Sequence, residues 1–505
     1  MANFEAPASG DFATQSLLEL IERLAPCENG IVGISVAFYS QLTSALLVAK
    51  CLKERNPKLC VALGGPQLSL HGDDLLAMPD VASWVDVICT GPGEATLLHL
   101  ATRRSEADPR ESLPHAYWTS SPDLPPIRTD YDFQSLAPPD FDGLPIREYL
   151  NFDYHLATTT CVGCSWGRCA YCSYGNRSLS QKSYRQASPT QLADWCEFLS
   201  EKHGGRRINF VDENTNLRLV MSAMRILNGR GVRIRFSTRN RFEKVLLDRA
   251  FCAELAERGC VLMSMGYDTN SQRLLNLLDR GVSAEHYQPI IDNLNAVGIL
   301  PGLSVMGGLP GETEAEVSAS EAFLEKNASK IGIDVMQMLV LEKKTRMHQA
   351  PGDYELSLDS SDELRGNALL NYGMGRMGPR FDYGDQSSFE QRERRFAQMH
   401  QKVRPQKDVD LPPDRRLPSA QPSDMRRDRL AAAKLQPWVR VIRNDGASRS
   451  LILADLIWQR VFELRGARVE DDGSLLPVDG VASLHGGIWA LVEQGRALPE
   501  WSQAC

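Results

Sequence analysis

The sequence predicts an α/β protein built in three parts. These are an N-terminal parallel sheet of Rossmann-like type, a central partial (β/α)6 barrel of TIM type and a small C-terminal helical, winged-helix-like domain. Three observations predict this. Short apolar runs recur up to about residue 345 without strict polar alternation, as strands covered on both faces read. Segments of helical period separate them. Glycine-rich turns stand where the first strands end, at Gly64-Gly65-Pro66 and Gly91-Pro92-Gly93-Glu94. In open α/β sheets that edge is where ligands bind. The chain has 505 residues, enough for about three domains at roughly 150 residues each.

Composition narrows the function classes. Apolar residues make up 43% and charged residues 24%, so there is material for full cores. Lys and Arg number 56 against 64 Asp and Glu, a net charge of −8. That excludes a generally basic coat, and nucleic acid is not an expected partner. The opening MANFEAPASGDFATQ lacks the basic and apolar stretches of a secretory signal. No apolar run approaches the ~18 residues of a membrane span. A cytoplasmic protein without a membrane partner is expected.

The first domain is expected over residues 1–110. It holds a helix at Ser16–Leu24, strands at Ile31–Phe38, Leu59–Leu63 and Trp84–Cys89, and helices at Gln41–Arg55 and Ala95–Arg103. Residues 111–150, rich in Pro and Asp, read as a linker. The barrel follows over 151–350. Its strands are expected at Tyr154–Thr159, Arg207–Val211, Val232–Ser237, Val261–Gly266, Gly302–Met306 and Ile333–Leu341, with helices such as Pro189–His203 and Ala284–Val297 between them. Residues 351–430 read as an extension and a polar, locally basic linker. Residues 431–505 regain apolar patterning as helix, hairpin-like turn and helix.

Four of the 12 cysteines fall close together, at Cys161, Cys164, Cys169 and Cys172. A large chain without an export signal is a poor host for a disulfide framework, so clustered thiols point to a metal or iron–sulfur site. The spacing is C-x2-C-x4-C-x2-C. Zinc ribbons separate their two knuckles by ~15–20 residues. Tight spacing on a loop after the first barrel strand suits a [4Fe–4S] cluster better. A structural zinc site remains the alternative. The scattered Cys27, Cys51, Cys60 and Cys89 read as buried core thiols, and Cys196, Cys252, Cys260 and Cys505 as structural.

Gly163-Cys164 and Cys169-Ala170-Tyr171-Cys172 resemble the cluster loop of the radical SAM superfamily, one residue longer than its usual C-x3-C-x2-C. The resemblance implies that Cys164, Cys169 and Cys172 bind three irons and that the fourth takes S-adenosylmethionine. Cys161 has no counterpart in that pattern. Further along, Phe210-Val211-Asp212-Glu213-Asn214, Ser237-Thr238-Arg239-Asn240-Arg241, Met265-Gly266-Tyr267-Asp268-Thr269 with Arg280-Gly281, and Gly307-Gly308-Leu309-Pro310-Gly311-Glu312-Thr313 resemble successive strand ends of the family. They imply S-adenosylmethionine contacts at Tyr171, Asp212, Arg239 and Asp268.

The N-terminal part resembles the cobalamin-binding domain of one branch of this superfamily, through Val32–Phe38 with Gln41, Leu63–Pro66, Asp86–Ile88 and Gly91–Glu94. Cobalamin contacts are implied at Ser35, Gln41, Gly64, Gly65, Gly91, Gly93 and Glu94. Family members begin with another strand and helix, so a trimmed domain is expected here.

The resemblance implies an enzyme that uses a [4Fe–4S] cluster to cleave S-adenosylmethionine and functionalise an unactivated carbon of a small molecule or peptide. It also implies cobalamin-dependent methylation, with an electron donor such as flavodoxin or ferredoxin. Cyclisation or rearrangement without cobalamin, and a zinc-stabilised, non-catalytic α/β binding protein, are the alternatives.

Overall fold

The computed structural model describes residues 30–103, 111–144, 155–173, 184–358 and 388–403, less 39–40, 129–131 and 205–206, with parts of 19–24, 381–383 and strands between 439 and 477. The N-terminal sheet comprises β1 (Ile31–Ser35), β2 (Cys60–Gly64), β3 (Val87–Cys89) and β4 (Ala116–Trp118), in that spatial order. The first three are parallel. The helix Leu42–Arg55 buries Leu46, Ala49 and Leu52, and they join Val61, Leu63 and Ile88 in one core. Strands this short hold only because both faces are covered.

β4 corrects the expected linker over 111–150. It pairs antiparallel with β3, Ile88 opposite Tyr117. Downstream, Phe133 buries its ring 5.7 Å from Trp195 of the barrel. Proline and aspartate marked turns correctly, but the few aromatic and aliphatic residues between them decide the packing.

The barrel sheet holds six parallel strands in chain order: β5 (Leu156–Thr158), β8 (Arg207–Phe210), β9 (Arg235–Asn240), β10 (Cys260–Asp268), β11 (Leu300–Gly307) and β12 (Gly332–Met338). Between β5 and β8, the short β6 (Cys161–Val162) and β7 (Arg185–Gln186) form a hairpin. The sheet is open, with β5 and β12 as its edges. The connecting helices carry local signals for their ends. Pro189–His203 starts at Ser188, whose side chain accepts from Gln191 N, and stops at Gly204 with φ +66°. Leu217–Gly229 presents Val220, Met224 and Leu227 as one buried stripe. β9 and β10 extend past their apolar runs, through Arg239-Asn240 and Tyr267-Asp268. These polar ends are the ones that reach the site.

Two further expectations are corrected. The polar stretch after 351 contains the helix Phe389–Lys402, closed by a capping box between Ser388 and Gln391. It packs on the barrel through Arg392, Met399 and Val403, all buried. The C-terminal region is not helical where described. β15 (Val439–Asp445), β16 (Ser450–Asp455) and β17 (Arg460–Arg465) form an antiparallel sheet, and β18 (Ala467–Val469) pairs with β19 (Leu475–Pro477). Val, Ile, Leu and Phe dominate these runs, and β-branched and aromatic residues favour strands. The apolar stretch near 487–491 lies outside the described residues, as do Cys27 and Cys505. Among the described residues no helix is long and apolar enough to cross a membrane.

Candidate functional site

The cysteine loop is anchored from behind. Asp212, just past β8, accepts from Thr160 N at 2.6 Å, Thr160 Oγ1 at 2.6 Å and Cys161 N at 3.2 Å. Its carboxylate is therefore engaged in fixing the loop and is buried. Its neighbour Glu213, in the bend after β8, lines the opening instead. Cys161 is also turned inward. It is buried, with Sγ 3.7 Å from Gly163 O and 3.9 Å from Asn214 O, and burial pushes its thiol well up from the ordinary range.

Cys164, Cys169 and Cys172 line one cleft of about 150 Å³ with Glu213 and Arg239. One water takes ~10–15 Å³ on this measure, so the cleft has room for an inorganic cluster. Three soft thiol donors converging beside free space fit a [4Fe–4S] cluster with one open iron. Burial raises the Cys164 and Cys172 thiols above the ordinary range, so without metal both are protonated at neutral pH. Glu213 opens onto the cleft, yet surrounding protein raises its carboxyl while Arg239 opposes the rise.

Trp166 shapes the loop. Its ring lies 4.4 Å from the Arg241 guanidinium and 5.0 Å from that of Arg168. Its Nε1 donates to Asp279 O at 2.7 Å. A Cβ on Gly281, at φ +60°, would meet the indole at 2.1 Å. Only glycine fits there. Ala170 N donates to Leu278 O at 2.9 Å, so the turn 278–281 braces both halves of the loop.

Tyr171 and Asp268 meet each other rather than the open cleft. Tyr171 Oη donates to Asp268 Oδ2 at 2.9 Å. Asp268, at φ +56° and buried, also forms an ion pair with Arg280. Arg280 in turn donates to Cys169 Sγ at 3.1 Å and to Gly266 O at 3.2 Å. Of the four S-adenosylmethionine positions expected, Arg239 lines the cleft, Tyr171 and Asp268 stand beside it as a bonded pair, and Asp212 lies behind the loop. Sequence reasoning did not select Glu213, Arg241 or Arg280. All three lie in motifs it quoted.

The seven N-terminal positions gather at the C-terminal edge of the first sheet. Ser35 ends β1, Gly64 ends β2, and Gly91, Gly93 and Glu94 follow β3. Several have internal duties. Gln41 Oε1 accepts from Ala37 N and Phe38 N, both at 3.0 Å. Gly65, at φ +99°, has no space for a Cβ against Val36. Ser35 and Glu94 are exposed, and a Cβ on Gly93 would meet nothing within 4 Å. This edge, with exposed Phe38 beside it, has the small-residue, open character that a flat, bulky cofactor requires.

The helix Pro66–Leu76 docks this domain on the barrel. Lys343 pairs with Asp74 at 2.6 Å and Lys344 with Asp73 at 2.9 Å. Lys344 also donates to Ser69 O at 2.9 Å. The neighbouring Glu342 accepts from Ser173, next to Cys172. The docking contact is thus one residue from the cysteine loop.

Residues 158–324 match the Radical SAM superfamily. The barrel is a radical SAM domain. Such a domain implies a [4Fe–4S] cluster and S-adenosylmethionine, which the convergent thiols accommodate. The chain is 23% identical over 338 residues to an uncharacterized methyltransferase of Pyrococcus horikoshii, covering 65% of this chain and 70% of that protein. Its fold is shared with OxsB, a cobalamin-dependent S-adenosylmethionine radical enzyme solved with aqua-cobalamin. The TM-score is 0.57 at 17% identity, covering 72% of this chain and 58% of OxsB. It is shared as well with TsrM of Kitasatospora setae, a radical S-adenosylmethionine methyltransferase solved with cobalamin and a [4Fe–4S] cluster. Here the TM-score is 0.53 at 20% identity, covering 70% and 73%. The likeness therefore extends over more of the chain than residues 158–324.

Proposed function

We propose that the chain is a radical SAM enzyme that methylates an unactivated carbon of a small molecule with the help of cobalamin. The observation that carries this reading is the cleft where Cys164, Cys169 and Cys172 converge with Arg239 and Glu213. The N-terminal domain is docked one residue away. The methyltransferase relative and the cobalamin-bound structural neighbours support the same direction.

Bound in these places, a reduced cluster and S-adenosylmethionine supply a carbon-centred radical, and cobalamin supplies a transferable methyl group. The protein's part is binding and orientation. Cys164, Cys169 and Cys172 would hold the cluster as thiolates. Arg239 and Glu213 offer opposite charges to the carboxylate and ammonium of the methionine moiety. Asp212, Trp166 and the turn 278–281 keep the loop in one shape. Ser35, Gly64, Gly93 and Glu94, with the turns set by Gln41, Gly65 and Gly91, give cobalamin an edge without bulky side chains. A flavodoxin or ferredoxin is the proposed electron donor.

Anaerobic reconstitution with iron and sulfide tests the site. A brown protein with about four irons and four sulfides per chain is expected. Cys164→Ala, Cys169→Ala and Cys172→Ala each lose it, whereas Cys161→Ala keeps it. A colourless protein holding one zinc would overturn the reading. Equilibration with hydroxocobalamin and desalting tests the second cofactor. About one retained per chain is expected; none retained would leave radical chemistry without cobalamin, such as ring closure.

A further inference from the structure

Arg280 has no part in the cysteine motif, yet its guanidinium donates a hydrogen bond to one of the cleft's sulfurs. Its guanidinium is buried and reaches three partners: Cys169 Sγ at 3.1 Å, Gly266 O at 3.2 Å and the carboxylate of Asp268. Its ring-side neighbour is Tyr171, 5.9 Å from the guanidinium carbon. The surroundings reserve this place. A Cβ on Gly266 would fall 2.5 Å from Arg280 Nη2. Arg241 Nη2 donates to Gly281 O at 2.8 Å and also to the carbonyl of Arg280 itself. A guanidinium held at three points cannot turn away into solvent, and a guanidinium stays charged.

We propose that Arg280 is a positioning residue that sets the reduction potential of the cluster through Cys169. This rests on the ligand set of the proposed function. Reduction adds one electron to the cluster and makes it more negative. A fixed positive charge and an N–H on one sulfur stabilise that reduced state, since hydrogen bonds to cluster sulfurs and local charge set such potentials. The effect is strong here because the group is buried, where charges act with little screening. Asp268 tempers it. Its carboxylate partly neutralises Arg280, and Tyr171 draws on the same carboxylate, so the donor to Cys169 is one end of a chain Tyr171–Asp268–Arg280–Cys169.

The test is an anaerobic redox titration of the reconstituted full-length chain with dithionite, read by the visible absorbance and electron paramagnetic resonance of the cluster, without S-adenosylmethionine. At equal poise, Arg280→Gln should show a reduced-to-oxidised cluster ratio about tenfold lower than the wild type, a shift of about 59 mV for one electron. Arg280→Lys should stay within threefold of the wild type. Asp268→Asn should shift in the opposite direction, toward easier reduction. A loaded Arg280→Gln protein with the wild-type potential overturns the proposal. Where Arg280→Gln fails to load, Arg280→Lys decides. A folded Arg280→Lys protein that also holds no cluster makes Arg280 a scaffold of the loop and not a tuner of potential. Failure of the underlying ligand set shows differently, as a wild-type protein without a reducible cluster.

Discussion

At the scale of single residues, the site depends on a few positions where one atom decides. Gly281 is the sharpest. Gly281→Ala places a methyl group inside the Trp166 ring at 2.1 Å and at φ +60°, and overpacking plus the left-handed Cβ should together lower the stability of the barrel by about 2–5 kcal/mol in urea unfolding. In a Trp166→Ala background the clash is gone, and the further penalty of Gly281→Ala should fall to the ~1–2 kcal/mol of a left-handed residue with a Cβ. Equal penalties in both backgrounds would show that the indole does not set the turn. Glu312 gives a pH dependence. Burial lifts its carboxyl from 4.5 to about 7, against donation from Leu309 N and Gly308 N. The folded chain then binds more protons than the unfolded chain between those values. Stability from this group is full below about 4.5 and is lost as pH rises through about 7. Glu312→Gln keeps an acceptor for both N–H groups, so its urea midpoint should fall less than that of the wild type between pH 5 and pH 8. An unchanged slope would contradict the assignment.

At the scale of elements, most of the parallel strands and helices were legible in the sequence, because continuous apolar runs and end signals are local. Pro189–His203 is bounded by Ser188 and Gly204, and the structure ends it there. The cysteine spacing marked four thiols, and the resemblance to the cluster loop picked the three of them that line one cleft. What was not legible depends on packing partners far away in sequence. Residues 116–118 look like part of a polar connector until β3 offers them a ladder. The helix Phe389–Lys402 carries mostly charged and polar residues, and its Arg392 is buried against the Phe381 ring at 3.8 Å. No periodicity argument places an arginine in a core. The C-terminal strands were mistaken for helices because short apolar runs fit both periods. The bonds of Asp212 to the cysteine loop were not legible either, because its carboxylate meets backbone donors that only the folded loop brings near. The capping box at Ser388 is the local feature that fixes the helix start. Ser388→Ala should cost about 1 kcal/mol, read as roughly fivefold faster hydrogen exchange in that helix. Unchanged exchange would mean that packing on the barrel alone holds it.

At the scale of the whole molecule, two α/β units meet with ionic contacts one residue from the cysteine loop. Lys343 and Lys344 bridge to Asp74 and Asp73. Half-exposed pairs of this kind contribute little each, ~0–1 kcal/mol, and are screened by salt. Reversing both charges together replaces attraction with repulsion. Lys343→Glu with Lys344→Glu should therefore enlarge the radius of gyration in small-angle scattering, most at low salt. No change would place the docking energy elsewhere. The central claim is that the cleft of Cys164, Cys169 and Cys172 performs reductive cleavage of S-adenosylmethionine. The direct measurement is chromatography for 5′-deoxyadenosine and methionine after the anaerobically reconstituted chain meets dithionite and S-adenosylmethionine. Both products should form with the wild type and with Cys161→Ala, and neither with Cys164→Ala, Cys169→Ala or Cys172→Ala. A wild-type protein loaded with its cluster that yields neither product would contradict the claim.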